Sequence, residues 1–231
     1  MRLGVVLPTF AWDGAPALAA AEQAEAAGLD GVFCYDHLWP LGEPGRPALA
    51  PFPVLGALAG RTSAIVLGTL VARVGLVPDD VLAAEFATLA EICGGRVVAG
   101  IGTGDRLSVA ENDAYGIATP PARERRARCA ALARRLVAEG LPTWVGGRSA
   151  GAAALARDSG AALNLWSAPP EEVRAAGAGG EVTWGGLLPA EPAAAAARVR
   201  ALADAGASWA VFQWPGAATP LLAAAREAGL R

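Results

Sequence analysis

Short apolar runs alternate with longer alanine-rich segments along the whole chain. The runs carry almost no polar residues, which is typical of strands buried on both faces of a parallel sheet. The alanine-rich segments carry scattered charges and end at a glycine or before a proline, as helices do. The pattern predicts eight strands, at 3–8, 31–35, 64–74, 96–101, 142–145, 161–166, 181–188 and 209–214. It predicts eight helices between and after them, at 15–27, 54–60, 78–95, 120–138, 149–159, 169–176, 192–205 and 220–228.

This alternation predicts an α/β fold, and specifically a single (β/α)8 (TIM) barrel over residues 1–231. Dividing 231 residues by eight units gives about 29 residues each, which suits such a barrel. The alternative is an open doubly wound sheet. That fold would favour a GxGxxG turn after the first strand, where the chain instead has Pro8, Thr9 and Phe10. The barrel is therefore the preferred prediction.

Composition narrows the functional classes. Apolar residues make up 54% of the chain, yet no run is long enough for a membrane-spanning helix. The start, MRLGVVLPTF, reads as a strand and lacks the features of a signal peptide. A net charge of −3, with no basic block, argues against nucleic-acid binding. The spacing of Cys34, Cys93 and Cys129 fits no metal or redox motif, so we expect buried, reduced thiols in a cytoplasmic protein without a metal site.

The exit of the second predicted strand carries the clearest chemistry. There the apolar run 31–35 leads directly into Asp36 and His37, and His37 is the single histidine of the chain. Catalytic side chains of barrels lie at the carboxyl ends of the strands, and imidazole titrates near neutral pH. We therefore expect His37, tuned by Asp36, to act as a catalytic acid. The alternative is that His37 only caps the loop by hydrogen bonding to Asp36.

Glycine-rich segments lie at the exits of the fourth and fifth predicted strands. The segment 100–106, GIGTGDR, has glycine at alternate positions, so a flat ligand can approach the backbone, with Thr103 and Asp105 as polar anchors. The alternative is a tight turn with unusual dihedral angles. The segment 146–149, GGRS, opens into a helix whose first amides, with the Arg148 guanidinium, suit a phosphate. Here the alternative is an ordinary connection in which Ser149 is the N-cap.

Four tryptophans lie at or just after predicted strand ends. Tryptophan usually fills a core or an interface. Several at one barrel mouth, beside a glycine-lined wall and a phosphate site, would suit a wide planar heterocycle and its substrate. The four residues are Trp12, Trp39, Trp166 and Trp214.

Taken together, these motifs resemble those of the bacterial-luciferase-like flavin and deazaflavin oxidoreductases. The resemblance rests on Asp36–His37, on LGTLV at 67–71, on the segment 94–105, on AYG at 114–116 and on the glycines at 146–147, in the same chain order. It implies a luciferase-like barrel that holds F420, an 8-hydroxy-5-deazaflavin, or FMN at its carboxyl face. A hydride would pass between this coenzyme and a small organic substrate.

The resemblance also implies roles for individual residues. His37 and Asp36 would lie beside the ring, and Trp39 would lie near a residue that shields the substrate. Thr69–Leu70 matches the position of a non-prolyl cis peptide that backs the ring. Asp105 matches an acidic position of deazaflavin-dependent members. The remaining positions would line the ring, its ribityl chain or its phosphate, and they are Gly102, Thr103, Gly104, Gly146, Gly147 and Arg148.

The chain departs from this family in being short and in having no lysine. A shortened barrel would leave the coenzyme pocket open to solvent unless a second subunit covers it, which would make the protein a homodimer. Three hypotheses follow. The first is an F420-dependent oxidoreductase, which GTGD and the Asp-His pair favour over FMN. The others are an FMN-dependent monooxygenase and a cofactor-free barrel that acts as a binding protein.

Overall fold

A computed structural model describes residues 1–40, 42–104 and 108–230. The strands are β1 (Arg2–Val6), β2 (Gly31–Cys34), β3 (Val66–Thr69), β4 (Ala72–Arg73), β5 (Val97–Gly102), β6 (Thr143–Gly146), β7 (Ala162–Trp166), β8 (Val182–Gly186) and β9 (Trp209–Gln213). The helices are α1 (Ala15–Ala26), α2 (Pro51–Ala59), α3 (Asp79–Ile92), α4 (Val109–Ala114), α5 (Ala122–Ala138), α6 (Ala150–Ser159), α7 (Pro170–Gly177), α8 (Pro192–Asp204) and α9 (Thr219–Glu227).

The strands form a closed parallel barrel. Strands that follow one another in the chain pair in parallel, except β3 and β4. Strand β9 pairs with β1, and β3 pairs with β5 to complete the ring. The two-residue strand β4 is an addition beside the upper half of β5. The predicted α/β barrel is thus confirmed. The alternative open sheet would leave two strand edges unpaired, and pairing of β1 with β9 excludes it.

Side chains alternate between two hydrophobic layers along every strand, as the period-2 geometry requires. Outward residues pack against the helices, and inward residues fill the barrel. The ring of Phe33 stacks on Trp144 at 5.0 Å between centroids and meets Trp209 edge-on at 5.8 Å. These three rings occupy the interior, so a ligand site can only lie above them, at the carboxyl ends of the strands.

The third predicted strand, 64–74, is interrupted in the structure. Strand β3 ends at Thr69, a non-prolyl cis peptide joins Leu70 to Val71, and β4 follows. The cis bond therefore lies one residue later than the predicted Thr69–Leu70 position. The sequence is apolar on both sides of the interruption, so hydrophobic pattern alone could not locate it. Helix α4 was not predicted either, because its sequence is polar and short.

The exclusions drawn from composition can be compared with the structure. Among the helices of the described residues, none combines the length and apolarity needed to cross a membrane. The three cysteines are free and buried, as predicted. In the same described part of the chain, no group of three or more His, Cys, Asp or Glu residues is arranged to hold a metal ion.

Candidate functional site

Aromatic side chains surround the mouth of the barrel. Tyr35 follows β2 at an inward position, two residues beyond Phe33. Its ring stacks on Phe10 at 5.3 Å and meets Trp166, at the end of β7, edge-on at 5.8 Å. His37 lies 6.3 Å from Phe10. Residues from three separate strand exits therefore form one apolar wall beside the histidine.

Gly185 of β8 allows Trp166 to lie across the mouth. A Cβ atom at this glycine would stand 2.7 Å from the Trp166 ring and 3.2 Å from a methyl group of Leu70. Leu70 is buried against the interior layer, while Trp166 keeps 37% of its surface exposed. The two predicted site residues thus both border Gly185 at the mouth, and Trp166 is the more exposed of the two.

A buried carboxylate holds the histidine in place. Glu111 of α4 has no exposed surface, and its Oε1 lies 2.8 Å from His37 Nδ1. Its Oε2 accepts hydrogen bonds from the Leu38 amide at 2.8 Å and from Arg73 Nη2 at 3.1 Å. Because an ionised carboxylate only accepts, Nδ1 carries a proton, and within the described residues Nε2 makes no hydrogen bond and stays available for chemistry. The loop-capping alternative, with Asp36 as partner of His37, is replaced by this contact with Glu111.

Asp36 lies on the other side of the same arginine. Its Oδ2 accepts the backbone N–H of Arg73 at 2.8 Å. Burial raises the pKa of Asp36, and although the Arg73 amide and the charges of Arg73 and His37 oppose the rise, the charge of Glu111 adds to it. The pKa of Glu85 is also raised, mainly by burial and to a smaller extent by the charge of Asp36. The mouth therefore concentrates negative charge around Arg73.

The raised pKa of Asp36 predicts a pH-dependent effect of Asp36→Asn. The folded protein binds this proton more tightly than the unfolded chain, so the contribution of Asp36 to stability falls as pH rises above its ordinary value of 3.8. The amide can still accept the Arg73 N–H. We expect the variant to be more stable than the wild type at pH 7, with a difference that shrinks toward pH 4. Urea denaturation at both pH values tests this, and a less stable variant at pH 7 would contradict it.

The glycines of β5 and β6 make room for the interrupted strand. A Cβ atom at Gly102 would stand 2.6 Å from Val71 Cγ2, and one at Gly146 would stand 3.0 Å from Val71 Cγ1. The space left by these missing side chains is therefore occupied by Val71. Thr69 faces away, since its buried hydroxyl donates to the Gly100 carbonyl at 2.6 Å. A ligand would meet the Leu70–Val71 segment here.

Beyond Gly102 the backbone adopts the unusual dihedral angle that the alternative interpretation of this segment predicted. Gly104 has a φ of +64°, in the left-handed region that favours glycine. The Thr103 hydroxyl donates to the Gly104 carbonyl at 3.1 Å. The predicted acidic residue Asp105 lies outside the described residues.

The residues that follow β6 form the turn and the N-cap from which α6 begins. Gly147 has a φ of +147°, and a Cβ atom there would stand 2.8 Å from Ala152 Cβ. Ser149 is the N-cap of α6, because its Oγ accepts the Ala152 N–H at 3.1 Å. The N-cap interpretation is therefore confirmed. Binding of a phosphate by Gly146 and Gly147 stays a prediction.

Arg148 points away from the mouth. Its guanidinium makes two hydrogen bonds to Glu172 of α7, at 2.6 and 3.1 Å. Both side chains line a groove of about 390 Å³ between α6 and α7, together with outward-facing Leu163 and Leu165. This groove lies on the helix side of the sheet, so the structure does not bring Arg148 together with His37.

The other predicted tryptophans occupy three different environments. Trp39 is buried, with its ring 5.8 Å from Tyr115. Trp12 is 85% exposed in the loop after β1. Trp214 packs against the outer hydrophobic layer. Inward and outward positions alternate along β9, and continuing this alternation places residue 214 on the outward side. Only Trp166 of the four makes a ring contact with Tyr35 in the described structure.

The sequence pattern identified neither Glu111 nor Arg73 as a site residue. Glu111 belongs to a polar segment, AENDAYG, in which nothing distinguishes a buried carboxylate from an exposed one. Arg73 follows an apolar run and has 6% of its surface exposed. An arginine at the end of a buried strand was the one available signal, since charged residues are rarely buried without a partner.

Comparisons with known proteins agree with this architecture. A family profile described as luciferase-like monooxygenase matches residues 1–131, more than half of the chain. An F420-dependent glucose-6-phosphate dehydrogenase of Nakamurella multipartita is 42% identical over 113 residues, 47% of this chain. An F420-dependent hydroxymycolic acid dehydrogenase of Mycobacterium tuberculosis is 34% identical over 116 residues, 49% of this chain. The matches cover 31% and 32% of those relatives, so the chain matches about a third of their length.

Solved structures resemble the fold at low sequence identity. An F420-dependent secondary alcohol dehydrogenase in complex with an F420–acetone adduct superposes with a TM-score of 0.81 at 16% identity, over 100% of this chain and 99% of that one. An F420-dependent tetrahydromethanopterin reductase of Methanopyrus kandleri gives 0.74 at 14% identity, over 96% of both chains. These structures support the barrel architecture.

Proposed function

The chain belongs to the luciferase-like monooxygenase family, and from this premise we propose that it is an F420-dependent oxidoreductase. It would bind the coenzyme at the barrel mouth and act on a small organic substrate. The observation that carries the proposal is the contact of Glu111 with His37, which leaves His37 Nε2 available beside an aromatic wall. The names of the curated relatives support F420 as the coenzyme.

The mouth has the chemical character that a deazaflavin requires. Leu70 and Val71 present apolar side chains where β3 is interrupted, and Trp166 and Tyr35 present aromatic side chains beside them. A flat ring could pack against such surfaces. The first turn of α6, after Gly147, offers backbone amides for the phosphate of the tail. The residues present therefore fit the group.

The coenzyme, when bound, supplies or accepts the hydride. The protein would orient the substrate and move a proton. His37 would hold that proton on Nε2, while Glu111 keeps Nδ1 protonated and fixes the orientation of the ring. Arg73 balances the charge of Glu111 through their contact at 3.1 Å. Trp166 and Phe10 would exclude water from the reacting atoms.

Titration of the purified protein with F420 tests the proposal. We expect saturable changes in the visible spectrum at micromolar coenzyme, followed by turnover with a suitable substrate, glucose 6-phosphate being tried first. The variant His37→Ala should keep coenzyme binding and lose about 10²- to 10⁴-fold in turnover, the usual contribution of a general acid.

FMN is titrated in parallel, because the family description also covers monooxygenases. If the protein binds FMN but not F420 and consumes oxygen, it would be assigned as an FMN-dependent monooxygenase instead. Uptake of neither coenzyme at tens of micromolar would reject the enzyme proposal in favour of a cofactor-free binding barrel.

A further inference from the structure

A small polar cavity adjoins the mouth, at the carboxyl end of β5. It has a volume of about 20 Å³, room for one water-sized group. Thr103 and Gly104 line one side and Ser108 another. Ala118 and Thr119, both exposed, line the side that faces solvent. The other lining residues are Arg73, Val74, Gly75, Leu76, Asn112 and Arg125.

Three of the residues lining this cavity have a buried polar atom without a hydrogen-bond partner in the described structure. These atoms are Arg73 Nε, Asn112 Oδ1 and Arg125 Nε. Arg73 is more than nine-tenths buried. Buried polar groups are almost always paired, so three unpaired polar atoms around one cavity mark it as a place for a small polar group.

The charge around the cavity favours an anion. Glu111 is the carboxylate in contact with Arg73, and it is shared with His37. Arg125 donates from Nη1 to the Pro120 carbonyl, and no ion pair of Arg125 is found within the described residues. Glu111 and Asp36 both lie near Arg73 and offset its charge, so Arg125 supplies the guanidinium charge that no carboxylate of the described residues pairs with.

We propose that Arg73 and Arg125 form a subsite for a phosphate group. One phosphate oxygen enters the cavity past Thr119 and accepts hydrogen bonds from both Nε–H groups. When that oxygen is protonated, it also donates to Asn112 Oδ1, which satisfies the third orphaned atom. An ionised carboxylate has no proton to give to Asn112, so the atom set favours phosphate over carboxylate.

The subsite lies next to Thr103 and Gly104, so it would hold the phosphate of a phosphorylated substrate at the mouth. This role for a substrate phosphate rests on the proposed function. Binding of the phosphate group itself does not require the coenzyme. The two proposals can therefore fail separately.

Calorimetric titration with inorganic phosphate, at constant ionic strength set with sodium chloride, tests the subsite. We expect saturable binding by the wild type. Arg125→Gln removes one charge-assisted hydrogen bond and should weaken binding about 10- to 100-fold. Arg123→Gln removes the same charge from an exposed position of α5 and should leave binding unchanged. Acetate in place of phosphate should bind more weakly.

Asn112→Asp is a second variant in case Arg125→Gln does not fold, and its added negative charge should also weaken phosphate binding. Absence of saturable phosphate binding by the wild type would overturn the subsite, as would wild-type affinity in Arg125→Gln. Equal losses in Arg123→Gln and Arg125→Gln would also overturn it, since they would indicate unspecific attraction. Comparison of glucose 6-phosphate with glucose shows whether a substrate phosphate uses the site. Phosphate binding without F420 binding would reject the proposed function alone.

Discussion

We expect Glu111→Ala to lower the free energy of unfolding by about 3–5 kcal/mol, the cost of removing one partner of a buried ion pair. Glu111 has no exposed surface, and it contacts His37, Leu38 and Arg73 at once. Alanine removes the carboxylate that is hydrogen-bonded to the buried Arg73 guanidinium, and it leaves the Leu38 amide without its acceptor. Chemical denaturation followed by circular dichroism gives the free energy directly.

A matched control is Glu172→Ala, which breaks the two hydrogen bonds to Arg148 at the surface. Glu172 and Arg148 keep 45% and 46% of their side-chain surface exposed. Solvent screens such a pair, so the expected loss is about 1 kcal/mol or less. Glu111→Gln, which keeps the shape and removes the charge, should fall between the two. Equal losses in Glu111→Ala and Glu172→Ala would contradict the buried network.

The second large effect is expected from Gly100→Ala, a loss of about 3 kcal/mol, at the upper end of the range for overpacking. A Cβ atom at Gly100 would overlap the carbonyl oxygen of Thr69 on the neighbouring strand. Neither group can rotate away, because both belong to the backbone of paired strands. The overlap can therefore be removed only if β3 and β5 separate, which would break the strand pairing that closes the barrel.

Gly56→Ala is the matched control for this substitution. Gly56 lies inside α2, and an added Cβ would meet no atom within 4 Å. Alanine is the better helix former, so the variant should gain up to about 1 kcal/mol. Thermal denaturation of both variants measures the contrast. A Gly100→Ala protein as stable as the wild type would refute the close approach of Thr69 to β5.

Much of the architecture follows from the sequence. Near-continuous apolar runs such as 31–35 and 209–214 predict strands covered on both faces, and eight such runs between helices predict the barrel. The Asp36–His37 pair could be placed at the mouth because it follows directly on a strand. These features are local, so neighbouring residues along the chain are sufficient to predict them.

The tertiary structure decided which of those residues act together. Glu111 meets His37 across 74 positions of sequence, and Val71 fills the space left by Gly102 and Gly146 from another strand. Arg148 turns to Glu172, away from the predicted phosphate site. The sequence by itself determined the barrel with its main strands and helices, though neither α4 nor the interruption of the third strand, because hydrophobic period and glycine conformation act over a few residues. The partners of each polar side chain depend on strand register and packing, which only the closed barrel sets.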